Sequence, residues 1–291
     1  MFKAKFFPYE AELEYEMILR NYSVCTVKNY KSHLRRFSEF FNQDLKLLSA
    51  DHFKEYLYYL TVNRKLGPNS INTCRSAFLF FHFAVMNAPV NPLLIPTQRQ
   101  NHKLPCILSR SEVIYLLNGI PSLKYRAVLS LCYGSGLRIS EALRIQVSDI
   151  DSKKMRLFVR KSKGRRERYT LLSNYSYQLL RQYWKKFKPQ GSLLFPGRHI
   201  DRHIPVQNVQ AEMRHAVSHS RLNAKGKITT HTLRHCFATH LLDAGCDLRT
   251  IQLFMGHADI SSTCVYLHLT DQHFANIQSP IDREDGDPLV F

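Results

Sequence analysis

Residues 231–269 read HTLRHCFATHLLDAGCDLRTIQLFMGHADISSTCVYLHL, and this stretch decides the fold. Apolar residues recur at helical spacing over 231–244, and Gly245 is a natural residue to close that helix in a left-handed turn. Thr230 stands before it as a candidate N-cap. Further helices are expected over 248–255 and 263–268. His231 and Arg234, three apart, share one helix face beside free N–H groups that suit an anion. Taken alone, that pair reads as a surface histidine beside a surface arginine. Gly256-His257 ends one helix, and Tyr266 lies on the next, as an ordinary helix aromatic would.

Working back toward the N-terminus, helices are expected over 174–184 and 206–218. Between them and residue 147 the texture changes to short β-like runs, over 147–150, 155–159 and 168–172. Before these, a helix over 123–133 stops at Gly134 and Gly136, and Ser109-Arg110-Ser111-Glu112 has capping-box spacing. The first hundred residues carry helical periodicity throughout, over 10–20, 26–41, a helix after Ser49, and one that starts after Gly67-Pro68 and ends near Asn87. Pro89, Pro92 and Pro96, followed by a basic polar stretch over 98–103, break the pattern and mark a domain boundary. The expectation is a helical domain over 1–100 and a second, α+β domain over 104–291. The whole is mainly α with a small antiparallel β-sheet. A tail from about 270 turns acidic at Asp282, Glu284, Asp285 and Asp287. It is a poor DNA binder, and either an arm that docks on a neighbour or disordered.

Charge narrows the partners. The 291 residues carry 41 lysines and arginines against 23 acids, a formal charge of +18. An excess this large calls for nucleic acid or an anionic membrane surface. A hydrophobic content of 44% belongs to a globular chain. The longest apolar stretch, AFLFFHFAVM over 77–86, is far too short to span a bilayer. The N-terminus holds acids where a signal peptide would be apolar, so a soluble, cytoplasmic protein is expected. Seven cysteines with no CxxC pair argue against a disulfide framework or a cysteine zinc site. His215 and His219, four apart, lack a third ligand, and His199 and His203 sit in a loop, so no metal site is assigned. No GxxxxGK[ST] loop and no carboxylate cluster point to ATP or two-metal chemistry.

The strongest charge cluster spans 153–168, with nine bases against the single acid Glu167. Solvated surfaces usually mix signs, so this hairpin reads as a phosphate contact built by Lys153, Lys154, Arg160, Lys161, Arg165, Arg166 and Arg168. A fourth feature, SGLRISEAL over 135–143, sets Arg138 at a helix start with Glu141 three residues on; by itself it is a capping and ion-pair arrangement.

Together, SGLRISEAL, KGRRER, HTLRHCFATHLLDAG and MGHADISSTCVYLHL resemble the tyrosine recombinases, the phage-integrase and Xer-like family. The resemblance covers nearly the whole chain. It places Arg138, Lys163, His231, Arg234, His257 and Tyr266 in the family's catalytic order, with Lys161 an alternative to Lys163. It implies a SAM-like helical core-binding domain, a catalytic domain, and a clamp of the two on double-stranded DNA. It implies cleavage and rejoining through a covalent 3′-phosphotyrosine on Tyr266, without cofactor, metal or ATP. Lys163 would protonate the leaving 5′ oxygen, and His231 and His257 would assist proton transfer. Four protomers on two DNA sites are also implied. A type IB topoisomerase-like enzyme and a non-catalytic DNA-binding regulator on the same fold are the alternatives.

Overall fold

Serine side chains start four of the helices. Ser23, Ser49, Ser109 and Ser173 each accept a hydrogen bond from the backbone N–H three residues on. Each cap satisfies a donor that the helix itself cannot pair. The computed structural model describes residues 7–99, 105–160 and 167–269. By contact the chain divides into Met1–His102 and Lys103–Phe291, each with a core of its own.

The first unit holds α1 (Glu10–Leu19), α2 (Val24–Phe41), α3 (Ala50–Val62) and α4 (Pro68–Ala84). Pro68 sits in the first turn of α4, where its missing N–H costs nothing. Rings fill the core: Phe53 stacks on Phe78 at 4.0 Å, and Phe37 meets both edge-on. The run of phenylalanines in α4 divides by helical phase. Phe78 and Phe81 are fully buried, Phe80 lies against Tyr22 and Tyr30, and Phe83 is 57% exposed. The helix turns Phe83 away from the core.

The second unit holds α5 (Arg110–Asn118), α6 (Leu123–Gly134), α7 (Ile139–Ala142), β1 (Ile150–Asp151), β2 (Arg156–Val159), β3 (Arg168–Leu171), α8 (Asn174–Phe187), α9 (Val206–Ser218), α10 (Thr230–Asp243), α11 (Leu248–Met255) and α12 (Ser261–Cys264). Helix α6 is its centre. Ala127 to Cys132 are all buried, with α8 and α10 packed on it. A stretch buried on every face of its helix belongs in an interior. The strands form an antiparallel sheet in the order β1-β2-β3, with Val159 opposite Arg168. Leu157 and Val159 face the core, while Phe158 meets Tyr169 on the other side at 5.1 Å.

Two elements depart from the sequence reading. The expected strand over 147–150 is mostly a 3-10 turn, Val147–Asp149, and only its end joins the sheet. Asp149 causes this by accepting the Gln146 N–H through its carboxylate, which offers the backbone a cap in place of a ladder. The expected helix over 263–268 is instead α12 followed by a 3-10 turn, Val265–Leu269. A second core cluster gathers there, with Tyr266 against Phe237, Ile251 and Met255. No helix among the described residues is long and apolar enough to cross a membrane.

Candidate active site

The site is assembled around the end of α11. Gly256 follows the helix at φ +60, a left-handed conformation that costs glycine least. Helix C-termini leave carbonyls unpaired and carry negative potential, which suits cations. Three arginines use them. Arg234 donates to Met255 O, Arg138 donates to the same oxygen at 3.3 Å, and Arg168 Nε donates to Phe254 O at 2.7 Å. A Cβ on Gly256 would lie 2.7 Å from the Arg168 guanidinium.

Glu141 ties the same three together. Its carboxylate accepts from Arg138 Nη1 at 3.1 Å and from Arg168 Nη2 at 3.0 Å, and lies 3.7 Å from Arg234. It also accepts the Arg138 backbone N–H at the start of α7. Burial pushes this carboxyl up, but Arg168, the Arg138 N–H and Arg234 outweigh burial and hold it at about 2. A buried charge needs such pairing. Arg234 is 3% exposed and also donates to Gly136 O. Gly136 has φ +62, and a Cβ there would meet the Phe237 ring at 2.4 Å. Burial and then Arg138 work against the Arg234 charge, which Glu141 supports; it is lowered to about 9 and stays cationic at neutral pH.

Helix α10 presents this arginine. Thr229 caps it, with its N–H bonded to Thr232 Oγ1 at 3.0 Å, so the cap falls one residue before the expected Thr230. His231 is exposed in the first turn. Tyr266 is 2% exposed, and its hydroxyl lies 3.0 Å from His235 Nδ1. Burial pushes this phenol up to about 12, against the lowering effect of Arg234 and Arg138. The His257 ring lies 6.5 Å from the Tyr266 ring, and its Nδ1 pairs with Thr263 Oγ1 at 2.9 Å. Burial, then Arg234, Arg138, Arg168 and His235, pulls His257 down to about 4, so it is neutral at pH 7. The arrangement offers concentrated, directed positive charge next to a protonated phenol. That combination suits an anion whose charge grows as an oxygen attacks it.

The phage integrase family profile matches residues 108–273, and its N-terminal SAM-like domain profile matches residues 11–91. The chain belongs to the phage integrase family. This tyrosine recombinase is 36% identical over 276 residues to the y4qK chain of Sinorhizobium fredii, named as an integrase/recombinase, covering 94% of this chain and 89% of that one. It is 33% identical to tyrosine recombinase XerC of Pediococcus pentosaceus, over 89% of this chain and 92% of that one. Its fold is similar to a XerH site-specific recombinase solved bound to palindromic difH substrate, with a TM-score of 0.71, 22% identity, and coverage of 91% of this chain and 82% of that one.

Of the residues singled out from the sequence, Arg138, Arg234, His257 and Tyr266 come together in this recombinase, with His231 at the start of the same helix. Lys161, Lys163, Arg165 and Arg166 lie outside the described residues. Lys153 and Lys154 are exposed in the turn between β1 and β2. Arg160 is half exposed and pairs with the buried Asp149 at 2.7 Å. Arg168 is placed differently from these bases: its side chain is only 9% exposed and is paired with Glu141 and Phe254 O. Its position at the start of β3, across from Val159, turns it inward toward α11. The His215 and His219 rings meet at a tilt at the surface, their centroids 4.2 Å apart. Among the described residues, no group of three or more His, Cys, Asp or Glu is placed to hold a metal ion.

Sequence reasoning missed His235. The available signal was its spacing: four residues after His231, it shares a helix face with that histidine. It also read Glu141 as the partner of one arginine, whereas the carboxylate serves three.

Proposed function

We propose that this recombinase cleaves and rejoins double-stranded DNA at specific sites through a covalent 3′-phosphotyrosine on Tyr266. The observation that carries the reading is the arginine pair, Arg138 and Arg234, converging on Met255 O and Glu141 with their charge bearing on the Tyr266 phenol. A phosphodiester under attack gains charge on its non-bridging oxygens, and forked guanidiniums match that geometry where an ammonium does not. The phosphotyrosine stores the energy of the broken bond, so resealing needs no ATP. The chemistry assigns no role to a metal or cofactor. Lys163 is the proposed donor of the proton to the 5′ oxygen, on the strength of the KGRRER phrase. Lys153, Lys154, Arg160, Lys161, Arg165 and Arg166 are the proposed phosphate contacts, and four protomers on two DNA sites the proposed assembly.

The test is a nicked suicide substrate that traps the covalent adduct. Tyr266→Phe should bind DNA as the wild type does and form no adduct. An adduct in that variant would place the nucleophile elsewhere. A DNA whose 5′ bridging oxygen is replaced by sulfur then tests the acid, because a thiolate leaves without protonation. Lys163→Ala should fail on ordinary DNA and recover on the sulfur substrate, whereas recovery by Lys161→Ala would move the acid two residues along the hairpin.

A further inference from the structure

We propose that His235 is the base of the cleavage step, with its Nδ1 taking the proton of the Tyr266 hydroxyl. The inference rests on the reading of Tyr266 as the nucleophile. A buried phenol needs an acceptor for its proton, and His235 Nδ1 lies 3.0 Å from Tyr266 Oη, within the reach a general base requires. The two rings are 5.7 Å apart, held by α10 against the 3-10 turn that carries Tyr266. The other histidines are placed less well. His257 Nδ1 is paired with Thr263, and His231 is exposed in the first turn of α10.

The electrostatics agree with this geometry. Burial, followed by the charges of His231 and Arg234, pulls His235 down to about 4. It is therefore neutral at pH 7, and the tautomer with its proton on Nε2 lets Nδ1 accept from the Tyr266 hydroxyl. His257 and Tyr266 are the other titratable groups beside it. A phenol held at about 12 does not surrender its proton to such a base at rest. As Oη bonds to phosphorus, however, that oxygen becomes strongly acidic, and a weak base in contact then suffices. The nucleophile therefore stays protonated until a phosphate is in place.

The step balances as follows. A lone pair of Oη forms the bond to phosphorus while the bond from phosphorus to the 5′ oxygen breaks. The Oη proton passes to His235 Nδ1, and the departing 5′ oxygen takes a proton from the general acid proposed above. Rejoining reverses this: the 5′ hydroxyl attacks, Oη leaves, and His235 returns its proton to the phenol.

The experiment is single-turnover cleavage of the suicide substrate by His235→Ala and His235→Asn. Asparagine places a hydrogen-bond acceptor near the Nδ1 position but takes up no proton. Both variants should lose about 100-fold or more in cleavage rate with DNA affinity unchanged. Thermal unfolding of His235→Asn checks that the fold is kept. The decisive arm replaces Tyr266 by a difluorotyrosine, whose phenol is more acidic than tyrosine's in the same surroundings and so depends less on a base. In that background the His235→Ala loss should shrink to about fivefold or less. Cleavage by His235→Ala close to the wild-type rate overturns the proposal, as does a loss that the fluorinated nucleophile leaves undiminished, which would mark a structural role. Tyr266→Phe separates the two readings. An adduct there removes the nucleophile, whereas no adduct there with full activity in His235→Ala removes only the base.

Discussion

Glu141 does the most for its size. One carboxylate, 5% exposed, sets the position of three guanidiniums, two of them proposed to hold the scissile phosphate. Removing its charge leaves buried arginines uncompensated, which typically costs about 3–5 kcal/mol. Glu141→Gln should therefore destabilise the protein by about that amount at neutral pH, read by chemical denaturation. The sign with pH follows from the depressed carboxyl. Its stabilisation is complete above the ordinary value of 4.5 and is lost as pH falls through about 2. The gap between wild type and Glu141→Gln should therefore narrow steadily below pH 4.5. A constant gap would mean that packing, and not charge, holds this site. The arginines make a second prediction. Arg234 already places its nitrogens on two carbonyls from different elements, a fork that lysine lacks. Arg138→Lys and Arg234→Lys should each cut adduct formation by about 100-fold or more while DNA binding persists.

At the scale of elements, the C-terminus of α11 is the joint on which the site turns. Its last carbonyls receive three arginines only because the chain reverses at Gly256. Alanine there meets both an unfavourable φ and the Arg168 guanidinium. The strain alone costs about 1–2 kcal/mol, and displacement of Arg168 adds to it. Gly256→Ala should thus lower Tm by several degrees and slow cleavage together; a lowered Tm with cleavage unchanged would mean that Arg168 swings aside freely. Caps at other helices act locally by comparison. Ser109→Ala removes one capping box and should cost about 1 kcal/mol with cleavage intact.

For the whole molecule, the net charge of +18 makes affinity for DNA depend on salt. Each base that neutralises a phosphate contributes about 0.9 to the slope of log affinity against log salt. The double variant Lys153→Ala, Lys154→Ala should therefore reduce that slope by about one to two, and leave the cleavage rate at saturating DNA unchanged. A slope equal to the wild type would place the β1–β2 turn away from DNA. Acid should also weaken the fold. His235 and His257 are held neutral, well below the ordinary 6.5, so the unfolded chain binds more protons below that pH. Their stabilisation is present above pH 6.5 and is lost as pH falls toward about 4.

Much of this was already written along the chain. Local rules placed the capped starts of α3 and α5, the start of α8 and the span of α9, because a cap or a periodic face is settled within a few residues. The order of Arg138, Arg234, His257 and Tyr266 was legible for a different reason: each sits in a phrase the family shares. What the sequence left open depends on pairs far apart in it. Arg168 looked like one base among nine until the fold turned it onto Glu141, 27 residues away. His235 met Tyr266 across 31 residues, and Arg234 met the Gly136 carbonyl across 98. Periodicity tells which face of a helix is buried, but not which neighbour waits there. Only the packing of α10, α11 and the turn after α12 decided which side chains came within hydrogen-bonding distance of one another.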